Sequence, residues 1–337
     1  MAVKKIGKQT VQFQKPPTIA ATASIVGPKE GQGPLGIYFD LVLEDELWGE
    51  KSWEMAESKF MREVLNKTCA KGSIAVNGID YILAGDLLNQ CISTSFSLRE
   101  SGVPMFGLYG ACSTIGEAMI LGSMIVEGGF GMNVVAMTSS HFCSAEKQFR
   151  FPLELGCQRP PTSQWTVTGA GGVLISAEGD GPFITRVTTG KIVDMGIKDQ
   201  NNMGAAMAPA AAETIYTHFE DTGLPHDYYD LVVTGDLGKI GTEILDDFLS
   251  ANGISIRDRL TDCGIMIFDE KQDVHAGGSG CGCSATVFAG YLYDCLKKGK
   301  LNRILFVPTG ALHSPISIQQ GETIPCIAHA VAIENTL

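Results

Sequence analysis

The sequence predicts an α/β protein made of two duplicated halves, and three observations point there. Two strand-ending motifs recur: IDYILAGDLLNQ (Ile79–Gln90) and YYDLVVTGDLGK (Tyr228–Lys239) each read as an Asp, a β-rich apolar run and then a small residue followed by Gly-Asp-Leu. A second pair of segments aligns without gaps in one register. Cys112-Ser113 falls on Cys283-Ser284, Ala118 on Ala289, Gly128 on Gly299 and Thr138 on Thr309. Finally, the order within each half is strand, helix, strand, with strands apolar on both faces, which favours parallel sheets covered on both sides.

Taken in order, Gly85-Asp86 and Gly235-Asp236 end buried strands in the two halves. Beyond the first, Ile115, Ala118, Met119, Gly122, Ile125 and Val126 recur at helical spacing, Gly128-Gly129 stops the helix, and MNVVAM reads as a strand. The second half repeats this with a helix running to about Lys298, a stop at Gly299 and the strand RILFVP. These small-residue helices are apolar nearly all round, so they are expected between two sheets. Two copies are too few for a solenoid and fit a fused pseudo-dimer. The halves are expected at 1–182 and 183–337, with the boundary just after AGGVLISAEG.

At 337 residues the chain exceeds what one hydrophobic core usually serves. A 45% hydrophobic content, with 40 Gly against 14 Pro, is that of a packed globular chain. The net charge of −12 argues against nucleic acid, whose phosphates need clustered Lys and Arg. Ten cysteines include no C-x-x-C pair, and most lie in apolar runs, the usage of a reducing compartment. The N-terminal charges precede no apolar h-region, and no apolar run reaches the ~20 residues of a membrane span. A soluble cytosolic protein is expected, attached to a membrane only through a partner.

The architecture, with a cysteine opening the central helix of the first half, resembles the thiolase superfamily. The resemblance covers most of the chain and is carried by AGDLLNQCISTSFSLRESGVP (Ala84–Pro104), YGACSTIGEAM and GSGCGCSATVFAG. It implies a layered α-β-α-β-α arrangement and, through the Gln90–Pro104 loop, a homodimer. Within the superfamily, GGSGCGCSATV and FVPTGALHSP are most similar to the stage V sporulation protein AD family of endospore-forming bacteria. That resemblance implies a role in the uptake of dipicolinic acid (pyridine-2,6-dicarboxylate), alone or as its calcium chelate, during sporulation. It also implies release at germination, in the forespore and beside membrane channel proteins of the same complex.

A thiol at a helix N-terminus faces unpaired N–H groups and the positive end of the dipole, which lowers its pKa. Cys112 is thereby a candidate nucleophile, a ligand contact or a buried thiol. A thiolase-type enzyme also needs a base and oxyanion donors, His or Asn, on facing loops. By resemblance those positions fall on Gly280-Cys281-Gly282 and Gly235-Asp236, and the second thiolase cysteine falls near Pro308-Thr309-Gly310. The proton-handling side chains are replaced, so a non-catalytic binder is expected, with an acyltransferase using Cys112 as the alternative. His275, His141 and His313 are the histidines that could substitute, although loop histidines are more often merely exposed. His218, His226 and His329 are weaker candidates.

For a planar dicarboxylate the helix starts at Cys112 and Cys283 offer N–H groups, and Lys239, Arg150 and His141 are the expected cations. The full candidate set is Cys112, His141, Arg150, Asp236, Lys239, Cys281 and His313. Cys281-Gly282-Cys283 lacks the further soft ligands of a metal site, GAGGV and HAGGSGCG lack the P-loop pattern, and no EF-hand loop appears, so neither a resident metal nor a cofactor is expected. Glu117, inside the central helix, needs a partner or a raised pKa if buried.

Overall fold

The computed structural model describes residues 4–149 and 158–337; Arg150 and Cys157 lie outside them. The first half contributes core strands β1 (Thr18–Val26), β2 (Tyr81–Gly85), β3 (Met105–Gly107), β4 (Asn133–Ser140) and β5 (Gly169–Ser176). The second contributes β6 (Phe183–Thr188), β7 (Leu231–Gly235), β8 (Leu260–Asp262), β9 (Arg303–Ala311) and β10 (Ala330–Glu334). Their spatial order is β8-β7-β9-β10-β6-β1-β5-β4-β2-β3. Each half therefore has the same strand order, and the two meet through their first strands, where Phe183 pairs with Thr18.

The expectation of parallel sheets needs correction, because each sheet is mixed. β2 runs parallel to β3 and β4, and β7 parallel to β8 and β9. The last strand of each half is antiparallel to its neighbours: β5 to β4 and β1, and β10 to β9 and β6. The end of β4 and the start of β5 lie at the same end of the sheet, Ser140 opposite Gly169, so the pair is antiparallel, where a crossover to the opposite end would produce a parallel one.

The principal helices are α1 (Trp53–Lys71), α2 (Ile92–Leu98), α3 (Thr114–Glu127), α4 (Phe142–Phe149), α5 (Met203–Thr222), α6 (Gly238–Ala251) and α7 (Cys281–Val287). α7 continues through a π-helical stretch, Phe288–Leu292, into Tyr293–Lys297. Gly128 caps α3 and Gly299, at φ +67°, follows the second rod, both at the expected stops. α1 is capped by the Ser52 hydroxyl, which accepts from the Met55 N–H at 3.2 Å, and it buries Phe60, Met61, Val64 and Leu65.

Three cores separate five layers. Phe60, Met61 and Val64 of α1 pack on Ile82, Val135 and Leu174 of the first sheet. Ile115 and Met119 of α3 and Val287 of α7 share the central core with Val173, Ile304 and Val331, so both helices lie between the sheets. Met207 and Ile215 of α5 and Leu245 of α6 cover the far face of the second sheet over Val232 and Leu305. This is the α-β-α-β-α arrangement.

The N-terminal segment crosses between halves. Residues Thr10–Gln12 pair with β6, and the Asp221 carboxylate at the end of α5 accepts from the Lys8, Gln9 and Thr10 N–H groups at 2.7, 2.8 and 3.0 Å.

Candidate ligand-binding cavity

The turn that carries Cys112 is held by its own side chains. The Ser113 hydroxyl donates to the Gly110 carbonyl at 2.7 Å, the Thr114 hydroxyl donates to the Ala111 carbonyl at 2.6 Å, and the Gly110 N–H donates to the Thr114 hydroxyl at 3.0 Å. Ala111 sits at φ +49°, a left-handed conformation costly for a residue with a Cβ and one that concentrates at functional sites. The end of β9 presses against this turn: a Cβ on Gly310 would lie 2.1 Å from the Gly110 carbonyl oxygen. Only glycine permits that approach.

Cys112 lies two residues ahead of α3, whose N-cap is Ser113. Its thiol opens on a cavity of about 80 Å³ between the halves. Tyr109 and Ala111 form one wall, Glu146 and Phe149 of α4 a second, and Met203 and Met207 of α5 a third, with Gln200 beside them. Ser279 and Gly280, just before α7, and Ala311 and His313, just after β9, close it.

The expected lowering of the Cys112 pKa is overturned. Burial pushes the thiol well above its ordinary value, the Asp236 carboxyl adds to the rise, and the Gly280 N–H opposes it. The helix dipole loses because α3 begins beyond the sulfur and desolvation of a thiolate is the larger effect. Cys326 acts in the same direction as Asp236.

Asp236 follows β7 at φ +77° and is fully buried, with neither carboxyl oxygen hydrogen-bonded among the described residues. Burial and the nearby Asp262 raise its pKa well above the carboxylate range. Cys281 is a fully buried first residue of α7, and its thiol donates to the Ala111 carbonyl at 2.9 Å. Cys283 does not open a helix as expected. It is the third residue of α7, buried beside Asp236, Cys263 and Asp262, because this helix starts earlier than its counterpart α3.

The remaining candidates are dispersed. His313 lines the cavity with its ring 5.3 Å from that of Phe149. His141 is fully buried away from it: one ring nitrogen lies 2.9 Å from the Glu46 carbonyl, the other accepts from the Cys143 N–H, and the ring stacks on Phe60. Burial lowers its pKa, so it is a neutral packing group rather than a cation. Lys239 is on the outer surface in a 2.6 Å ion pair with Glu270. His275 lines a separate surface cleft beside Lys239. His218 and His329 are buried, with pKa values lowered by burial to about 3 and about 4. Glu117 is raised by burial and directs one oxygen toward Gly110.

Sequence reasoning missed Tyr109, Glu146, Gln200, Met203 and Met207, which reach the cavity from loops and from the first turns of α4 and α5. No motif marks them. It also missed Gln164, whose amide donates to the Asp236 carbonyl at 2.5 Å and the Gly278 carbonyl at 3.3 Å, clamping two turns together. Among the described residues no cluster of His, Cys, Asp or Glu could hold a metal ion, all nine cysteines are free, and no helix is long and apolar enough to cross a membrane.

Two duplicated halves enclosing two central helices, with a cysteine turn at the head of one of them, define a thiolase-like fold. Among solved structures the chain is similar to OleA of Xanthomonas campestris, with a TM-score of 0.61 and 15% identity over 96% of this chain and 99% of that one. It is also similar to 3-oxoacyl-[acyl-carrier-protein] synthase III of Aquifex aeolicus VF5, with a TM-score of 0.58 and 13% identity over 94% and 99%. The model of the stage V sporulation protein AD family matches residues 7–334, and the chain belongs to that family. It is 46% identical to stage V sporulation protein AD of Bacillus subtilis (strain 168) over 333 residues, covering 99% of this chain and 98% of the relative.

Proposed function

We propose that this sporulation protein binds dipicolinic acid, alone or as its calcium chelate, in the cavity beside Cys112 and does not transform it. The observation that carries this reading is the company the Cys112 sulfur keeps. Acyl transfer needs a thiolate and a base to handle its proton. This thiol is held neutral by burial, and the buried Asp236 carboxyl adds to that effect. The cavity combines apolar lining from Phe149, Met203 and Met207 with polar groups from Tyr109, Gln200 and Ser279, which suits a flat aromatic ring with polar ends. Calcium would be held by the ligand's own oxygens.

On this reading the protein works in the forespore beside membrane channel proteins, as a dimer. The dimer is supported by β3, an edge strand exposed throughout, and by Phe96, Phe106 and Tyr109, which expose apolar surface around it. An acyltransferase remains the second reading, favoured by the strained Ala111 that presents Cys112 to the cavity.

Calorimetric titration of the full chain with dipicolinate separates the two. The binding reading expects saturable heat, retained in Cys112→Ala, and no hydrolysis of short acyl-CoA thioesters. Thioester turnover abolished by Cys112→Ala would replace it with the enzyme, and a flat titration would end the dipicolinate assignment.

A further inference from the structure

Two short segments join the first half to the second on the cavity wall. Trp165–Thr166 and Gly278–Ser279 pair as parallel two-residue strands, apart from the main sheet. The Trp165 N–H donates to the Gly277 carbonyl and the Val167 N–H to the Ser279 carbonyl, each at 2.8 Å. The Ser140 hydroxyl donates to the Val167 carbonyl at 2.6 Å and accepts from the Gly282 N–H at 2.9 Å, which ties the same two segments again. Successive residues of a strand face opposite ways. Trp165 turns to Phe142, with ring centroids 3.7 Å apart, and the Lys29 ammonium lies 4.0 Å from its centroid. Thr166 lines the cavity.

Ser279 is the register partner of Thr166, so the two side chains stand abreast on one face of the pair, with their strands about 4.8 Å apart. Both line the cavity. The Thr166 methyl stands against Gly280, where a Cβ would lie 3.0 Å from it. A β-branched side chain packed in this way keeps one rotamer. Neighbouring hydroxyls are spent inside the fold. Thr138 donates to the Cys281 carbonyl at 2.7 Å and Ser139 to the Glu57 carboxyl at 3.1 Å, while Thr168 accepts from the Phe142 N–H at 3.1 Å. Neither the Thr166 nor the Ser279 hydroxyl has a hydrogen-bond partner among the described residues. Two uncommitted donors thus line one wall, held on paired backbone that fixes their spacing.

We propose that the Thr166 and Ser279 hydroxyls form a fork, one prong from each half, that donates to the two oxygens of a single carboxylate of the ligand. This rests on the reading of the cavity as a dipicolinate site. An ionised carboxylate only accepts, and it does so on both oxygens, so two donors abreast match it where a lone acceptor atom would engage one of them. Hydrogen bonds to an ionised group are stronger than neutral ones, and each prong is worth about tenfold in affinity or more. The carboxylate so held lies in the same cavity as Gly280 and Cys112.

The test is calorimetric titration of the full chain and its variants with dipicolinate. Thr166→Val keeps the shape of the side chain and removes the hydroxyl, and Ser279→Ala removes the other. Each is expected to lower affinity by about tenfold or more. Thr166→Ser keeps the donor without the methyl and should stay within about threefold of the wild type. A loss below about threefold in either Thr166→Val or Ser279→Ala overturns the fork and leaves dipicolinate binding intact. So does a loss in Thr166→Ser equal to that in Thr166→Val, because the methyl packed on Gly280 would then be what matters. If either apolar variant fails to match the wild-type melting curve, a crystal structure of the wild type with dipicolinate decides. One carboxylate with its oxygens within about 3 Å of both hydroxyl oxygens supports the inference, and a ligand seated away from them overturns it. Absence of saturable binding in the wild type removes the binding function and this inference with it.

Discussion

The Cys281 thiol donates a 2.9 Å hydrogen bond to the carbonyl of Ala111, the residue whose left-handed backbone presents Cys112. The first residue of a second-half helix thus braces the cysteine turn of the first half. A neutral hydrogen bond of this kind contributes about 1 kcal/mol, and losing it leaves one buried carbonyl with a donor fewer. Cys281→Ala should therefore lower stability by about 1–2 kcal/mol in urea denaturation, whereas Cys281→Ser, which keeps a donor, should lose less. Equal losses for the two substitutions would mean that the thiol acts only by filling space.

Burial and Asp236 both hold the Cys112 thiol in its protonated form. Alkylation needs the thiolate. Peptide-resolved mass spectrometry after iodoacetamide should find Cys112 labelled more slowly than a small free thiol at neutral pH. Its rate should keep climbing by about tenfold per pH unit into the alkaline range, with no plateau near neutrality. A plateau there would indicate an activated thiolate and favour acyl transfer.

Much of the fold was legible because its signals are local. Gly85-Asp86 and Gly235-Asp236 do end strands β2 and β7, and the helical spacing from Ile115 to Val126 is helix α3. The antiparallel sense of β5 was not legible, since apolar runs carry no direction and the connection from Ser140 to Gly169 is long. The cavity was harder. His141 and Lys239 each follow a strand-ending motif, yet one turns into the first-half core and the other outward to Glu270. Position in sequence fixes the end of an element but not the side to which a loop residue turns. Asp262 accepts from the Leu237 and Gly238 N–H groups across neighbouring strands, and residues separated by the whole of α6 give no periodic sign of such a contact.

Glu30 is a second buried acid, with a pKa raised to about 7 by burial. One of its oxygens accepts from the Thr168 N–H at 3.0 Å and the other has no partner among the described residues. A raised acid stabilises the folded state fully below its unfolded pKa of about 4.3. That contribution is lost as pH rises toward 7, because the native state must then ionise a group that the unfolded state has already ionised. Glu30→Gln removes the titration and keeps the acceptor for Thr168. The variant should match the wild type in acid and exceed it by about 1–3 kcal/mol above neutrality. Urea denaturation at several pH values measures the difference, and a gap that does not change with pH would rule out Glu30 as its source.

The closest backbone approach around the cavity joins Gly310, near the end of β9, to the Cys112 turn. A Cβ at Gly310 would stand 2.1 Å from the Gly110 carbonyl oxygen, 2.9 Å from the Ser113 nitrogen and 3.2 Å from the Cys112 nitrogen. All three are backbone atoms, so no side chain can rotate away. The strand cannot yield easily either, because at this point Gly310 is paired to Ile327 of the short strand Cys326–Ala328. The turn therefore has to move. Overpacking of this kind costs about 1–3 kcal/mol. Gly310→Ala should show that loss in urea denaturation together with faster alkylation of Cys112, as the displaced turn exposes the sulfur. Gly299→Ala is the matched control: its φ of +67° is strained for alanine, but no atom lies within 4 Å of the added methyl. That change should destabilise through backbone strain alone and leave Cys112 labelling unchanged. If both substitutions speeded labelling equally, general loosening of the fold would account for the effect, and the contact between β9 and the cysteine turn would not.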